Sequence, residues 1–278
     1  MPSPTSAGFC PNRGVLYSAA GCPCQRQTKE GSILFCAEMG CRLPGRSSGK
    51  RNGYAWSLSA PASAFGQAAA AESLSPRDRC LPSPWGNEDT QQLIDILDRY
   101  QVKATFFVVG DWVDKYPESV KALHDAGHEV MNHSNTHAHY PQLSVEEIVA
   151  DLNACNDKIE AITGVRPTLV RLPYGDYDDN AVRAVRSIGM EPIQWDVDSL
   201  DWKEIPAEEI VQRVTGKVQP GSIVLFHNAA LHTPEALPSI LETLIQEGYT
   251  FVPISQLILG GEYNTDYTID HTGRQCPA

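Results

Sequence analysis

From residue 85 onward the sequence predicts an α/β fold, with helices alternating with the strands of a parallel sheet or barrel. Three observations carry this. Six short apolar runs rich in β-branched residues begin 25, 40, 24, 30 and 28 residues apart. The segments between several of them repeat their apolar residues at helical spacing. Polar residues collect at the C-terminal ends of four consecutive predicted strands, where folds of this class place their chemistry.

The elements follow in order. Leu93, Ile96, Leu97 and Tyr100 stripe a first helix. Residues 103–109 (KATFFVV) and 128–133 (HEVMNH) then read as strands buried on both faces, being nearly continuous in apolar residues. The segment SVEEIVADLNACNDKIEAITG has apolar positions at Val145, Ile148, Val149, Leu152, Cys155, Ile159 and Ile162. Ser144 and Glu147 form a capping-box pattern at its start, and Gly164 is its expected stop. Strands follow at 168–173 (TLVRLP), 192–198 (PIQWDVD) and 222–228 (SIVLFHN). Leu237, Ile240, Leu241, Leu244 and Ile245 stripe the last helix, Gly248 follows it, and residues 250–255 (TFVPIS) form the last strand. No internal repeat is present.

Composition divides the 278 residues near position 84. Residues 1–84 hold 9 Lys+Arg and 4 Asp+Glu (+5), and residues 85–278 hold 13 and 30 (−17), which sum to the chain's −12. The first part has one Val, one Ile and six of the eight cysteines, and all eight histidines lie in the second. A segment so poor in β-branched residues buries little and is expected to be disordered, atypical of the domain and not native to it. The cysteines at 22 and 24 are closer than zinc-ribbon spacing and have no second CxxC. Cys155, on the apolar helix face, reads as a buried thiol. A domain at −17 repels phosphates, and the +5 is scattered, so nucleic acid is excluded as a partner. No apolar run reaches the ~20 residues that span a bilayer, and the start shows no secretory pattern.

The polar strand ends contain HSNTH (133–137), RLPYG (171–175), DSLDW (198–202) and LFHN (225–228). Two histidines four apart can share a Zn²⁺ when the chain between them curls, although the spacing alone is a weak signal. A histidine ending an otherwise apolar strand, as His227 does, is ordinarily a satisfied core residue. The company of the other three motifs makes it a candidate acid. His124, His232 and His271 lack such company and read as surface; His139 is off the metal spacing; Asp196 and Asp198 border the site.

The order of these motifs, from about Trp85 to Leu259, resembles the polysaccharide deacetylases of the NodB-homology type, carbohydrate esterase family 4. WGNEDT with QVKATFFVVG is similar to members associated with bacterial cell wall or spores. The resemblance implies a distorted (β/α) barrel over residues 85–262, followed by a tail over 263–278. It implies a divalent metal, zinc as a rule, held by His133, His137 and an acidic residue, and an N-acetylated polysaccharide as substrate. Under it, Arg171 orients the catalytic base, and Pro173 and Tyr174 shape the groove. Asp201 holds the histidine acid, His227 is that acid, Trp202 lines the wall, and Leu225 meets the acetyl methyl. It also implies an extracytoplasmic site of action.

The first motif of that family, a strand such as TFDDG or SFDAAWG, supplies the base and the acidic ligand. Before Trp85 this chain reads Cys80-Leu81-Pro82-Ser83-Pro84, and no Asp or Glu lies between Asp78 and Glu88. Two prolines exclude a central strand there. The expectation is therefore a barrel with its first strand lost and an impaired site. The alternative to a deacetylase is an inactive homologue that binds glycan or metal, with Asp78, Glu88 or Asp89 near the histidines.

Overall fold

The computed structural model describes residues 30–37, 86–258, 267–269 and 275–277, and the side chains of 86–258. The core is a parallel sheet whose order is β5-β4-β3-β2-β1-β7-β6. These strands are β1 (Glu30–Ala37), β2 (Thr105–Val108), β3 (Glu129–Asn132), β4 (Leu169–Arg171), β5 (Glu191–Ile193), β6 (Val197–Asp198) and β7 (Ile223–His227). A short strand β8 (Thr250–Phe251) pairs with the start of β1. Strands β9 (Tyr267–Ile269) and β10 (Gln275–Pro277) form a separate antiparallel pair.

The first strand is therefore not lost, which corrects the expectation from the sequence. Residues 30–37 lie between β2 and β7, with Leu34 opposite Thr105 and Leu225. The apolar run Ile33–Leu34–Phe35 supplies the β propensity that the proline-containing stretch before Trp85 lacks. The expected disorder of 1–84 is overturned over this segment, and the remainder lies outside the described residues. The tail 263–278 is described only at its two short strands.

The predicted strand at 192–198 divides. β5 pairs with β4 at one edge of the sheet, and β6 pairs with β7 at the other. Only Gln194–Asp196 join them, so the two edges stand no more than ~14 Å apart, four residues of extended chain. The sheet thus curls into an incomplete barrel with its gap between β5 and β6.

Side-chain alternation gives the sheet two apolar faces. Phe107, Met131, Leu169, Ile193, Ile223 and Leu225 form the inner cluster, joined by Ile254 and Leu257 of the short helix α8 (Ile254–Leu257). Phe106, Val108, Val130, Val224 and Phe226 face the outer helices. These helices are α1 (Thr90–Arg99), α2 (Gly110–Lys115), α3 (Pro117–Asp125), α4 (Val145–Thr163), α5 (Asp179–Ser187), α6 (Ala207–Thr215) and α7 (Thr233–Gln246). The capping box of α4 forms as predicted, and Gly164 ends it at φ +73. Because every pair in the barrel sheet is parallel, the C-terminal strand ends gather at one rim.

Candidate active site

HSNTH leaves the end of β3 as a tight curl. The Asn132 carboxamide oxygen accepts the Ser134 N–H (2.6 Å), and the Ser134 hydroxyl accepts the His137 N–H (2.7 Å). Ser134 and His137 both adopt left-handed backbone, at φ +72 and +56. Asp151, reaching over from α4, accepts from Asn135 N–H, Thr136 Oγ1 and Tyr140 Oη. The result places the His133 and His137 rings edge to face, 5.0 Å between centroids.

His133 is fully buried, and its Nδ1–H donates to the Arg171 carbonyl (2.7 Å). A carbonyl only accepts, so this bond fixes the proton on Nδ1 and leaves Nε2 with a lone pair. That is the tautomer a metal ligand needs. Here the lone pair takes a hydrogen bond from Arg171 Nη1 at 2.7 Å. Arg171, at the end of β4, is itself buried, with its guanidinium 4.5 Å over the Trp195 ring.

The family resemblance implies a metal. No group of three or more His, Cys, Asp or Glu that could hold one occurs among the described residues. Two imidazoles are one donor short of a three-ligand zinc site, and a guanidinium sits on one of them. As described, the donor set does not complete that site. Asp78 lies outside the described residues. Asp89 does not join the histidines; it lies beside Ala229, near Asp201.

The acid half of the site is assembled. His227 ends β7, and Asp201 opens the helical turn Asp201–Lys203 that follows β6. Both are buried. Asp201 Oδ1 accepts from His227 Nδ1–H (2.7 Å) and Trp202 N–H (2.8 Å), and Oδ2 accepts from His227 N–H (2.8 Å) and Thr233 Oγ1 (2.7 Å). Four donors hold this carboxylate, and it holds the imidazole by both its ring and its backbone. The arrangement suits a histidine that donates a proton. Cys36 of β1 is the backbone partner of His227 in the ladder, so the strand slot beside the acid belongs to a segment without Asp.

Two aromatic side chains stand out at this rim. Tyr174 is 54% exposed and Trp202 47% exposed, in a fold whose other large aromatics are mostly covered. Tyr174 sits at φ +60 in the Pro173–Gly175 turn, packed edge to face on His137 (4.5 Å) and flat on His139 (3.9 Å, 8°). Pro173 is buried in the same turn. Leu225 is covered within the inner cluster. His139 turns to Asp176 (3.2 Å), and Asp196 accepts from Ser222 Oγ and Ile223 N–H at the far end of β7. Asp196 is thus away from the rim, and Asp198 instead caps the Leu200 N–H.

Sequence reasoning missed Asp151, Asn132, Thr233 and the placement of Asp89. Asp151 left a signal, a carboxylate three residues after Ile148 and four before Cys155 on an apolar helix face. Asn132 left a weaker one, an amide within a run of apolar strand residues.

Comparison with known proteins identifies the family and the fold. A family profile described as polysaccharide deacetylase matches residues 80–193. The peptidoglycan-N-acetylmuramic acid deacetylase PdaC of Bacillus subtilis is 39% identical over 168 residues, 60% of this chain and 35% of that protein. An uncharacterized 30.6 kDa protein of Geobacillus stearothermophilus is 31% identical over 62% of this chain and 67% of its own length. The crystal structure of a mutant of BA3943, described as a CE4 family pseudoenzyme with restored enzymatic activity, superposes with a TM-score of 0.65. It is 30% identical and covers 84% of this chain and 68% of that one; the wild-type protein comes from Bacillus anthracis. The match thus spans about a third of PdaC and two thirds of the shorter relative. By the profile, the relatives and the fold, the chain belongs to the polysaccharide deacetylase family, carbohydrate esterase family 4.

Proposed function

We propose that this chain acts on N-acetylated amino-sugar polysaccharide, with peptidoglycan the first candidate, as a hydrolase that removes the acetyl group. The observation that carries this is the buried His227–Asp201 pair at the rim beside exposed Tyr174 and Trp202. Aromatic faces suit sugar rings, and amide cleavage needs a proton for the leaving amine, which His227 supplies. Pro173 and Leu225 complete the pocket in this reading, which also takes His133 and His137 as metal ligands. Peptidoglycan as substrate places the protein at the cell wall. Acetate release from N-acetylglucosamine oligomers, with and without added zinc or cobalt, tests the reading. Turnover abolished by His227→Ala supports it, and no release under any metal condition overturns it.

One contact favours a second reading, a homologue that binds glycan without hydrolysing it. Arg171 Nη1 lies on the nitrogen of His133 that a metal would use. Losing the base of an acid–base pair costs about 10²–10⁴-fold in rate, and BA3943 is described as a pseudoenzyme within the same family. Oligosaccharide binding by a chain that releases no acetate would establish this reading.

A further inference from the structure

The segment Gly86–Thr90 enters α1 beside the end of β7, and its contacts go to the residues that follow His227. Asp89 stands at the N-cap position of α1, where an aspartate ordinarily accepts a hydrogen bond from its own helix. It makes no such bond. Its Oδ2 instead accepts the Ala229 N–H at 2.7 Å, across 140 residues of sequence. The Gly86 carbonyl accepts the Asn228 amide at 2.8 Å and the Trp112 indole N–H at 3.3 Å. Ala229 lies at φ +53, a backbone region that a residue with a Cβ rarely occupies. The turn that leaves His227 is therefore strained, and two bonds from one segment hold it. Asp89 is buried, with Oδ1 also buried and without a hydrogen-bond partner among the described residues. Burial raises its carboxyl from 3.8 to about 6, with Glu88 and Asp201 adding to the rise and the Ala229 N–H opposing it.

We propose that Asp89 is a positioning residue for His227: by holding the Ala229 N–H it fixes the strained turn that keeps the imidazole seated on Asp201. The carboxylate acts through the backbone two residues on from His227. This rests on His227 being the proton donor, so the test reads the imidazole directly rather than turnover.

The Nδ1 proton shared between His227 and Asp201 is followed by proton NMR, as its downfield resonance and its exchange with water, in protein without substrate. In Asp89→Ala, folded by circular dichroism, exchange should be at least about tenfold faster. In Asp89→Asn, which keeps an acceptor for Ala229 N–H, it should stay within about twofold of the unsubstituted protein. Asp89→Ala exchanging as slowly as the unsubstituted protein, or Asp89→Asn as fast as Asp89→Ala, overturns the proposal. If Asp89→Ala does not fold, Asp89→Leu, of similar volume and without an acceptor for the Ala229 N–H, takes its place. At least about tenfold faster exchange in it supports the role, and exchange as slow as in the unsubstituted protein overturns it. A protein with the expected resonances but no acetate release would count against the proposed reaction and leave this positioning role standing.

Discussion

Replacing Asp201 with Asn tests the acid half of the site through stability alone. The carboxylate is buried and accepts four hydrogen bonds, two on each oxygen. Asparagine keeps one acceptor oxygen, which serves two of the donors. Its NH₂ then faces the other two. If the amide oxygen takes the Oδ1 place, the Thr233 hydroxyl can turn to accept from the NH₂, and the backbone N–H of His227 is left facing a donor. A buried polar group left without its partner costs about 1–3 kcal/mol, with ~2 a central value. For a domain of this size each kcal/mol moves Tm by about 2–4 °C, which gives a fall of ~4–8 °C. Thr233→Val removes one of the four donors and leaves the other three, so it should cost only about 1 kcal/mol. Differential scanning calorimetry on the three proteins at one pH reads all of this. A fall under ~3 °C for Asp201→Asn would refute the four-donor account.

The remaining predictions concern pH, metal, thiol and glycan. His128 is buried, and that burial, with Lys103 adding to it, lowers its pKa from 6.5 to about 4. Its folded pKa is below its unfolded one, so its contribution is present above 6.5 and is lost as pH falls toward 4, up to ~3 kcal/mol. Asp89 has the opposite sign, because its raised carboxyl favours the folded state at low pH and loses that advantage as pH rises from 3.8 through 6. The two act in opposite directions in that window, so Asp89→Asn should steepen the acid loss of urea stability between pH 6.5 and 4; an unchanged slope would sink this. Arg171→Met frees Nε2 of His133 from a charge-assisted bond worth about 1.5–3 kcal/mol, and zinc measured by equilibrium dialysis should bind at least ~10-fold tighter. Burial pushes the Cys155 thiol up to about 12, so mass spectrometry should find it alkylated only in unfolded protein. Trp202→Ala and Tyr174→Ala should leave Tm within ~2 °C yet weaken binding of N-acetylglucosamine oligomers, each by about tenfold, as titration calorimetry would show.

Much of the fold was legible because the buried parallel strands are nearly continuous apolar runs. The strands at 105–108, 129–132, 169–171 and 223–227 lie within the stretches that pattern picked out. The split of 192–198 was not legible, since Gln194, Trp195 and Asp196 read as strand until pairing sends each end to a different edge. β1 was missed because its neighbours are so polar and rich in Gly and Ser that the average hid an apolar run of three. The candidate site was legible at His133, His137, Arg171, Asp201 and His227, through motif order rather than through any one motif. The partners that hold them, Asp151 and Asp89, act across long sequence separations, and no local spacing announces such contacts.

β1 has one more consequence. In the barrel sheet, β2 and β7 do not pair with each other; each pairs with β1. The strand is a keystone, without which the ladder falls into a four-stranded and a two-stranded piece. Fifty-two residues separate Ala37 from Thr90, and closing that span rather than a five-residue connection costs about 2 kcal/mol more chain entropy. The central strand is thus tied to its neighbours by its hydrogen bonds far more than by its tether. Native-state hydrogen exchange should then show amides of β2 and β7 opening together, as one cooperative unit set by the docking of a strand that both share.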